Sequence, residues 1–332
     1  ERWFPVAENG EGRLKPFELD KIIARFGLDS VELRGDDGQR EMRLLTLTEL
    51  SGRFEEEGRF LLVPGEEITS AFDGHPVHVN AVNINGVIPA LERDSVTELL
   101  NDTLDAVVRH GEEHGRPVLA HLNHPNFGWG LTWQDVASMR SDRFFEVYNG
   151  HRGVRNAGDV EHPSTEEIWD RALVLRLTEL GLPVLFGVAT DDAHHYHGVL
   201  TAQAGRGWVM VRADDLSNSS IVEAMKRGDF YASSGVILAD INTSDREYRV
   251  DVDAAEGVRY TTRFVGTRVQ GTEIGAPGEV LMTTNDDPAI YAFRGDELYV
   301  RAVVTSSVEH PNPYAVGDKE TAWTQPVVVA VR

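Results

Sequence analysis

The spacing of apolar and polar positions divides this chain into three stretches. In the first, Phe17, Leu19, Ile22, Ile23 and Phe26 recur at helical spacing and predict a helix over 17–26. Residues 31–34 and 42–45 flank Gly35-Asp36-Asp37-Gly38, a turn signal between two short strands. Thr48-Glu49-Leu50 opens a short helix that ends by Gly58.

From about residue 60 to 235, short apolar runs alternate with helical patterns. Phe60-Leu61-Leu62-Val63-Pro64 predicts a strand, followed by Gly65-Glu66-Glu67-Ile68-Thr69. Residues 77–84 alternate and predict another. A helix over 95–111 takes Ser95 as its cap and Leu99, Leu100, Leu104, Val107 and Val108 as its apolar face. The strand at 117–120 runs into His121-Leu122-Asn123-His124-Pro125-Asn126. A helix near Trp133, a strand over 144–148, a helix over 165–180 and a strand over 183–189 follow. A last strand at 207–211 and a helix over 219–226 complete the stretch. Such alternation predicts an α/β fold with a parallel sheet or barrel. Beyond about residue 235, short alternating strands such as 248–252 and 298–304 are separated by Gly, Asp, Asn and Pro. These predict a small antiparallel β-sandwich. The expected domains are therefore 1–235 and 236–332.

Composition narrows the function classes. A length of 332 residues accommodates a full core and two domains. No run of 18 apolar residues is present, and the start lacks the basic-then-apolar layout of a signal peptide. The chain does not begin with Met, which suggests an upstream end that has been removed and leaves localisation open. A net charge of -22 disfavours nucleic acid as a partner. It leaves room for a small-molecule substrate, including an anionic one if bound dications reverse the local field. With no cysteine, a metal site must be built from His, Asp and Glu.

The chemistry concentrates at strand ends. Val184-Leu185-Phe186-Gly187-Val188-Ala189-Thr190 is an apolar run that stops in Asp191-Asp192-Ala193-His194-His195-Tyr196-His197. Carboxylates beside imidazoles at the carboxyl end of a strand are a ligand mixture for zinc, manganese or iron. Glu66/Glu67, His78, His121/His124 and Glu146 recur at other strand ends. No Gly-x-Ser-x-Gly elbow, P-loop or dinucleotide fingerprint is present.

Five pieces carry a family resemblance. They are Pro64-Gly65-Glu66-Glu67-Ile68-Thr69, Val77-His78-Val79-Asn80, Ala120-His121-Leu122-Asn123-His124-Pro125-Asn126, Glu146-Val147-Tyr148-Asn149-Gly150 and Gly187 to His194. With Gly228-Asp229-Phe230-Tyr231-Ala232-Ser233-Ser234-Gly235-Val236, they make residues 55–240 resemble the PHP (polymerase and histidinol phosphatase) metal-dependent hydrolases. The nearest branch is the carbaryl-hydrolase-like (CehA/McbA-type) one. The resemblance implies a distorted (β/α)7 barrel, N-terminally incomplete, followed by the sandwich. It implies Glu67, His78, His124, Asp192 and His194 as metal ligands, with Glu66 as the alternative to Glu67. Up to three divalent ions would occupy the complete family site. His194 and Asp192 would be catalytic, with a metal-bridged hydroxide cleaving a phosphoester or a carboxylic or carbamate ester. In the loop after the 144–148 strand, His151, Arg152 and Arg155 are candidates for binding an anionic substrate.

One departure matters. The family's opening His-x-His and its Asp-His motif are missing, and the first histidine is His75. The chain reads as a fragment or a degenerate member. This keeps a second expectation in view, a non-catalytic binding or structural module derived from such a barrel.

Overall fold

The structure, a computed structural model, describes residues 2–8, 14–36, 38–194 and 202–329. It separates into two units, one built on Glu1–Leu62 and the other on Val63–His195 with Leu200–Arg332.

In the first unit, β1 (Trp3–Pro5), α1 (Pro16–Phe26), β2 (Leu33–Arg34), β3 (Glu41–Arg43) and α2 (Leu47–Phe54) follow in order. The strands form a three-stranded antiparallel sheet in the order β1-β3-β2. Pro16 opens α1, where its missing N–H is no loss. Thr46 caps α2 through a capping box: Glu49 N donates to Thr46 Oγ1 at 3.3 Å, and Thr46 N donates back to Glu49 Oε2 at 2.8 Å.

The second unit begins with β4 (Gly65–Phe72) and β5 (His75–Val82). The expected strand at 60–64 is displaced: the ladder starts at Gly65, so Glu66 and Glu67 lie inside the strand. Pro64 has no N–H for a ladder, and its carbonyl instead accepts from Asn83 N at 2.7 Å. Asp73 and Gly74, both at positive φ, form the two-residue link between β4 and β5. A link this short forces antiparallel pairing.

Next come α3 (Val96–His114), β6 (Leu119–Leu122), α4 (Trp133–Ala137), β7 (Phe144–Asn149), α5 (Thr165–Leu175) and β8 (Phe186–Thr190). Ser95 Oγ accepts from Glu98 N at 3.2 Å at the start of α3, and Gly115 ends it in the left-handed conformation. Its buried face carries Leu99, Leu100, Leu104 and Val107. Burial of each such side chain contributes about 1.5–3 kcal/mol relative to exposure. A π-helical turn, Arg176–Leu180, extends α5 to the expected end.

These strands make one sheet in the order β4-β5-β6-β7-β8. The pairings β4–β5 and β5–β6 are antiparallel; β6–β7 and β7–β8 are parallel. Of the expected parallel sheet or barrel, the structure has the parallel part in β6, β7 and β8 only. Among the described residues the sheet is mixed, and β4 and β8 each have one hydrogen-bonded neighbour in it.

The rest is β9 (Trp208–Val211), α6 (Asn218–Arg227), β10 (Phe230–Ser233), β11 (Leu238–Thr243), β12 (Glu247–Val252), β13 (Tyr260–Gln270), β14 (Glu273–Ile274), β15 (Glu279–Thr284), β16 (Ala289–Ala292), β17 (Glu297–Glu309), β18 (Lys319–Thr324) and β19 (Val327–Val328). An eight-stranded sheet runs β14-β13-β17-β18-β10-β9, with β15 on β13 and β19 on β17. A three-stranded sheet runs β11-β12-β16. Tyr248, Val250 and Tyr291 of the small sheet share one apolar cluster with Phe264, Val300 and Ala302 of the large one. This is a sandwich-like arrangement, as expected for the C-terminal part.

The expected boundary at 235/236 falls inside the second unit. Strands β9 and β10 belong to the large sheet. Gln325 and Gly187 exchange two hydrogen bonds of 2.9 Å. Arg301 on β17, fully buried, pairs with Asp170 on α5 at 2.9 and 2.7 Å. Among the described residues no helix is long and apolar enough to cross a membrane.

Candidate metal centre

The hairpin of β4 and β5 sets the first two side chains. Val77, Val79 and Ala81 alternate into the core, which turns His78 and Asn80 to the opposite face. Glu67 pairs with Asn80, and His78 pairs with Thr69. Glu67 and His78 are thus diagonal neighbours across the ladder, within reach of long side chains. His78 Nδ1 lies 3.0 Å from Glu67 Oε1.

The third side chain comes from the end of β6. Asn123 N donates to His78 O at 3.0 Å, continuing the β5 ladder past the last paired residue. His124 then turns at positive φ, and its backbone N donates to Glu146 Oε2 at 2.7 Å. Its ring is buried, with Nε2 3.7 Å from Glu67 Oε1 and the ring centroid 5.0 Å from that of His78. Ligand atoms of Glu67, His78 and His124 all lie within 4.8 Å of one another.

A carboxylate and two imidazoles suit a borderline divalent ion. Ligand atoms about 2.0–2.2 Å from one tetrahedral ion are about 3.3–3.6 Å apart, close to the separations seen here. The residues therefore fit a zinc, manganese or iron ion. The Glu67 carboxyl is held well below the usual carboxylate range by hydrogen bonding from His124 and then His78, against the opposing effect of burial. For His124, burial pulls the pKa down, but the Glu67 hydrogen bond and the charges of Glu146, Asp192 and Glu67 outweigh it and leave it raised.

Three residues support the cluster. Asn123 Nδ2 donates to Glu67 Oε1 at 2.9 Å and to Asn80 Oδ1 at 3.0 Å, and its Oδ1 accepts from Asn80 N at 3.2 Å. Glu146, on β7, is buried and also accepts from Asn149 Nδ2 and Thr190 Oγ1, each at 2.8 Å. Burial pushes its pKa up. Asn149 Nδ2 reaches Asp192 Oδ2 at 3.2 Å, linking the ends of β7 and β8. Asn123 and Asn149 were not singled out from sequence. Their roles depend on pairing between strands, which leaves no local pattern.

Asp192, two residues past β8 and at positive φ, lines a cleft of about 340 Å³ together with Glu67, Asn123, Glu146 and Thr190. It shares the cleft but is not a member of the three-residue cluster. His194 is also outside that cluster. It is exposed, with Nδ1 2.8 Å from Asp192 O and 3.4 Å from Asp192 Oδ1, and its ring packs 4.9 Å from that of His151. The structure thus brings together three of the five expected ligands and leaves His194 at the margin. Glu66 also lines the cleft, but its Oε1 accepts from Ile88 N at 2.6 Å, so Glu67 is the carboxylate of the cluster.

Neighbouring residues do other work. Asp191 Oδ1 accepts from Arg206 N at 2.6 Å and Gly207 N at 2.9 Å, anchoring the later loop beside β8. His121 is buried with Nδ1 lacking a hydrogen-bond partner, and burial pushes its pKa down to about 4. His195 and His197 lie outside the described residues. None of the three candidate anion-binding residues lines the cleft. His151 is half-buried, and its Nδ1 accepts from Gly153 N at 3.0 Å. Arg152 is exposed. Arg155 lies over the Trp129 ring at 5.0 Å and 3.9 Å from Asp159.

The chain matches no family model, no curated protein and no solved structure.

Proposed function

We propose that this chain is a divalent-metal-dependent hydrolase of the PHP type, acting on a phosphoester or on a carboxylic or carbamate ester of a small molecule. The observation that carries the reading is the convergence of Glu67 from β4, His78 from β5 and His124 from the segment after β6, with Glu67 also lining the cleft that Glu146 and Asp192 share. In this reading the mixed sheet is the portion of the distorted barrel present in the described residues.

A zinc, manganese or iron ion held by these three side chains would supply Lewis-acid polarisation of the scissile group and a lowered pKa for a bound water. The protein's own contribution is to hold that site ready. Asn123 fixes the Glu67 carboxylate, and Glu146 fixes the backbone that aims His124. Asp192 offers a carboxylate on the cleft wall that can take a proton from water. His194, exposed beside Asp192, would pass a proton to a departing alkoxide.

A second reading is a non-catalytic binding module. It draws support from one observation: among the described residues a single three-residue cluster forms, without Asp192 or His194. Hydrolysis of an aryl phosphate, an aryl acetate and an aryl carbamate by the zinc- or manganese-loaded chain separates the two readings. Turnover that disappears in Glu67→Gln and His124→Ala supports the hydrolase. Metal binding without turnover of any of the three supports the module.

A further inference from the structure

A second cavity, of about 690 Å³, opens at the other end of the parallel strands. Arg143 immediately precedes β7, and Val184 and Phe186 stand at the start of β8. The candidate metal centre draws on the opposite ends of the same strands, at Asn149 and Thr190. Residues from β9, β10, β11 and the segment around Gln325 complete the wall.

The floor is apolar and aromatic. Phe186 and Phe230 stand edge to face with centroids 5.8 Å apart, and Phe144 packs behind them at 5.5 and 5.9 Å. Leu238 and Tyr248 are buried on the sandwich side. Gly228, which follows α6 at positive φ, allows this approach: a Cβ there would come within 2.8 Å of the Phe186 ring.

The charged groups of this cavity are not balanced. Arg212 pairs with Asp240 at 2.6 Å, and Arg227 pairs with Asp229 at 2.9 Å, both at the exposed rim. Arg143 is half-buried, and among the described residues it has no carboxylate within salt-bridge distance. Its guanidinium lies over the Phe186 ring at 4.2 Å, and Nη2 donates to Lys226 O at 3.0 Å. Desolvation lowers its pKa, and the charge of the adjacent Asp142 offsets this only in part. In a chain of net charge -22, an arginine without an ion-pair partner against an aromatic floor is a specific feature.

We infer that this cavity binds a small amphipathic carboxylate, with Arg143 taking the carboxylate and the Phe186–Phe230 floor taking an aromatic or branched apolar body. The planar guanidinium offers paired donors to such an anion, and the floor excludes water from the contact. The site is separate from the metal cleft and does not depend on the hydrolase reading.

Isothermal titration of the full chain with naphthalene-2-carboxylate, and with the neutral naphthalene-2-carboxamide, tests this. The expected result is saturable binding of the acid and binding of the amide weakened by about tenfold or more. Arg143→Gln is expected to bring the two affinities together, while Arg143→Lys keeps part of the difference. Ile241→Trp, which adds bulk at a half-buried wall position, is expected to weaken both ligands with Arg143 intact. Far-ultraviolet circular dichroism checks that each variant is folded, and Ile241→Trp carries the test if Arg143→Gln is not. Absence of saturable binding, equal affinities in the parent, or discrimination that persists in folded Arg143→Gln overturns the assignment. Loss of binding in Glu67→Gln would place the probe in the metal cleft and overturn it as well.

Discussion

Asn123 Nδ2 donates to Glu67 Oε1 at 2.9 Å, on the same oxygen that lies 3.0 Å from His78 Nδ1. The amide thus orients the carboxylate from a residue adjacent to His124, so one loop supplies a ligand and the restraint on another. Replacing Asn123 with Ala leaves Glu67 and Asn80 without these bonds. Metal affinity is expected to fall by about 10–100-fold, the usual loss for groups that orient ligands. Fold stability should fall by about 1–3 kcal/mol. Competition titration with a chelating dye and urea unfolding read the two effects separately.

His121 gives the metal-free chain an acid-sensitive step. Buried in the fold, its pKa is pushed down from 6.5 to about 4 by desolvation. The unfolded chain takes up this proton at about pH 6.5, the folded chain only near 4. Stability is therefore full above about 6.5 and is lost as pH falls through that window, by about 3 kcal/mol at most. Urea midpoints of the chelator-stripped protein between pH 7.5 and 4 should show this slope, and His121→Leu should flatten it. An unchanged slope in the variant would assign the effect to other groups.

Arg301 and Asp170 form a bidentate pair between β17 and α5, with Tyr299 Oη also donating to Asp170 Oδ1 at 2.8 Å. Arg301→Met alone strands a buried carboxylate and is expected to cost about 3–5 kcal/mol. The double change Arg301→Met with Asp170→Leu removes both charges and should cost less than the single one. Urea unfolding of the four-member cycle measures the difference, and additive losses would mean the pair acts as two independent groups.

Gln325 bonds both backbone groups of Gly187 in the middle of the molecule's second unit. Gln325→Ala leaves that buried N–H and C=O without partners and is expected to cost about 2 kcal/mol or more. Gln325→Glu should be worse at neutral pH, because a carboxylate cannot donate to Gly187 O. Thermal unfolding of both variants against the parent reads the order.

Much of the local structure was legible in the chain. The alternation around His78 placed it opposite Val77 and Val79, and Ser95 marked the start of α3. The apolar run ending at Thr190 marked β8, and Asp192 emerges beyond it onto the cleft. The parallel reading failed where a turn was passed over. Asp73-Gly74 between two alternating runs is a hairpin signal, and it fixes β4 and β5 as antiparallel. The apolar run at 60–64 looked like a strand, but Pro64 cannot donate to a ladder.

The site was legible one strand at a time. Glu67 lies within β4, His78 lies within β5, and His124 follows the end of β6. Their convergence, and the support from Asn123, Asn149 and Glu146, depends on the order of strands in the sheet. The same holds for Arg143, whose cavity is assembled from several separate parts of the chain. Neither arrangement is periodic, so neither follows from the spacing of residues along the chain; the three ligands are grouped only by the family resemblance.

The most direct test of the central claim is the metal content of the purified chain after loading with zinc or manganese and removal of excess. Elemental analysis of the parent is compared with a Glu67→Ala/His124→Ala double variant confirmed as folded. The account predicts about one tightly held ion per chain in the parent and its loss in the variant. No retained metal in the parent, or equal metal in both, would contradict it.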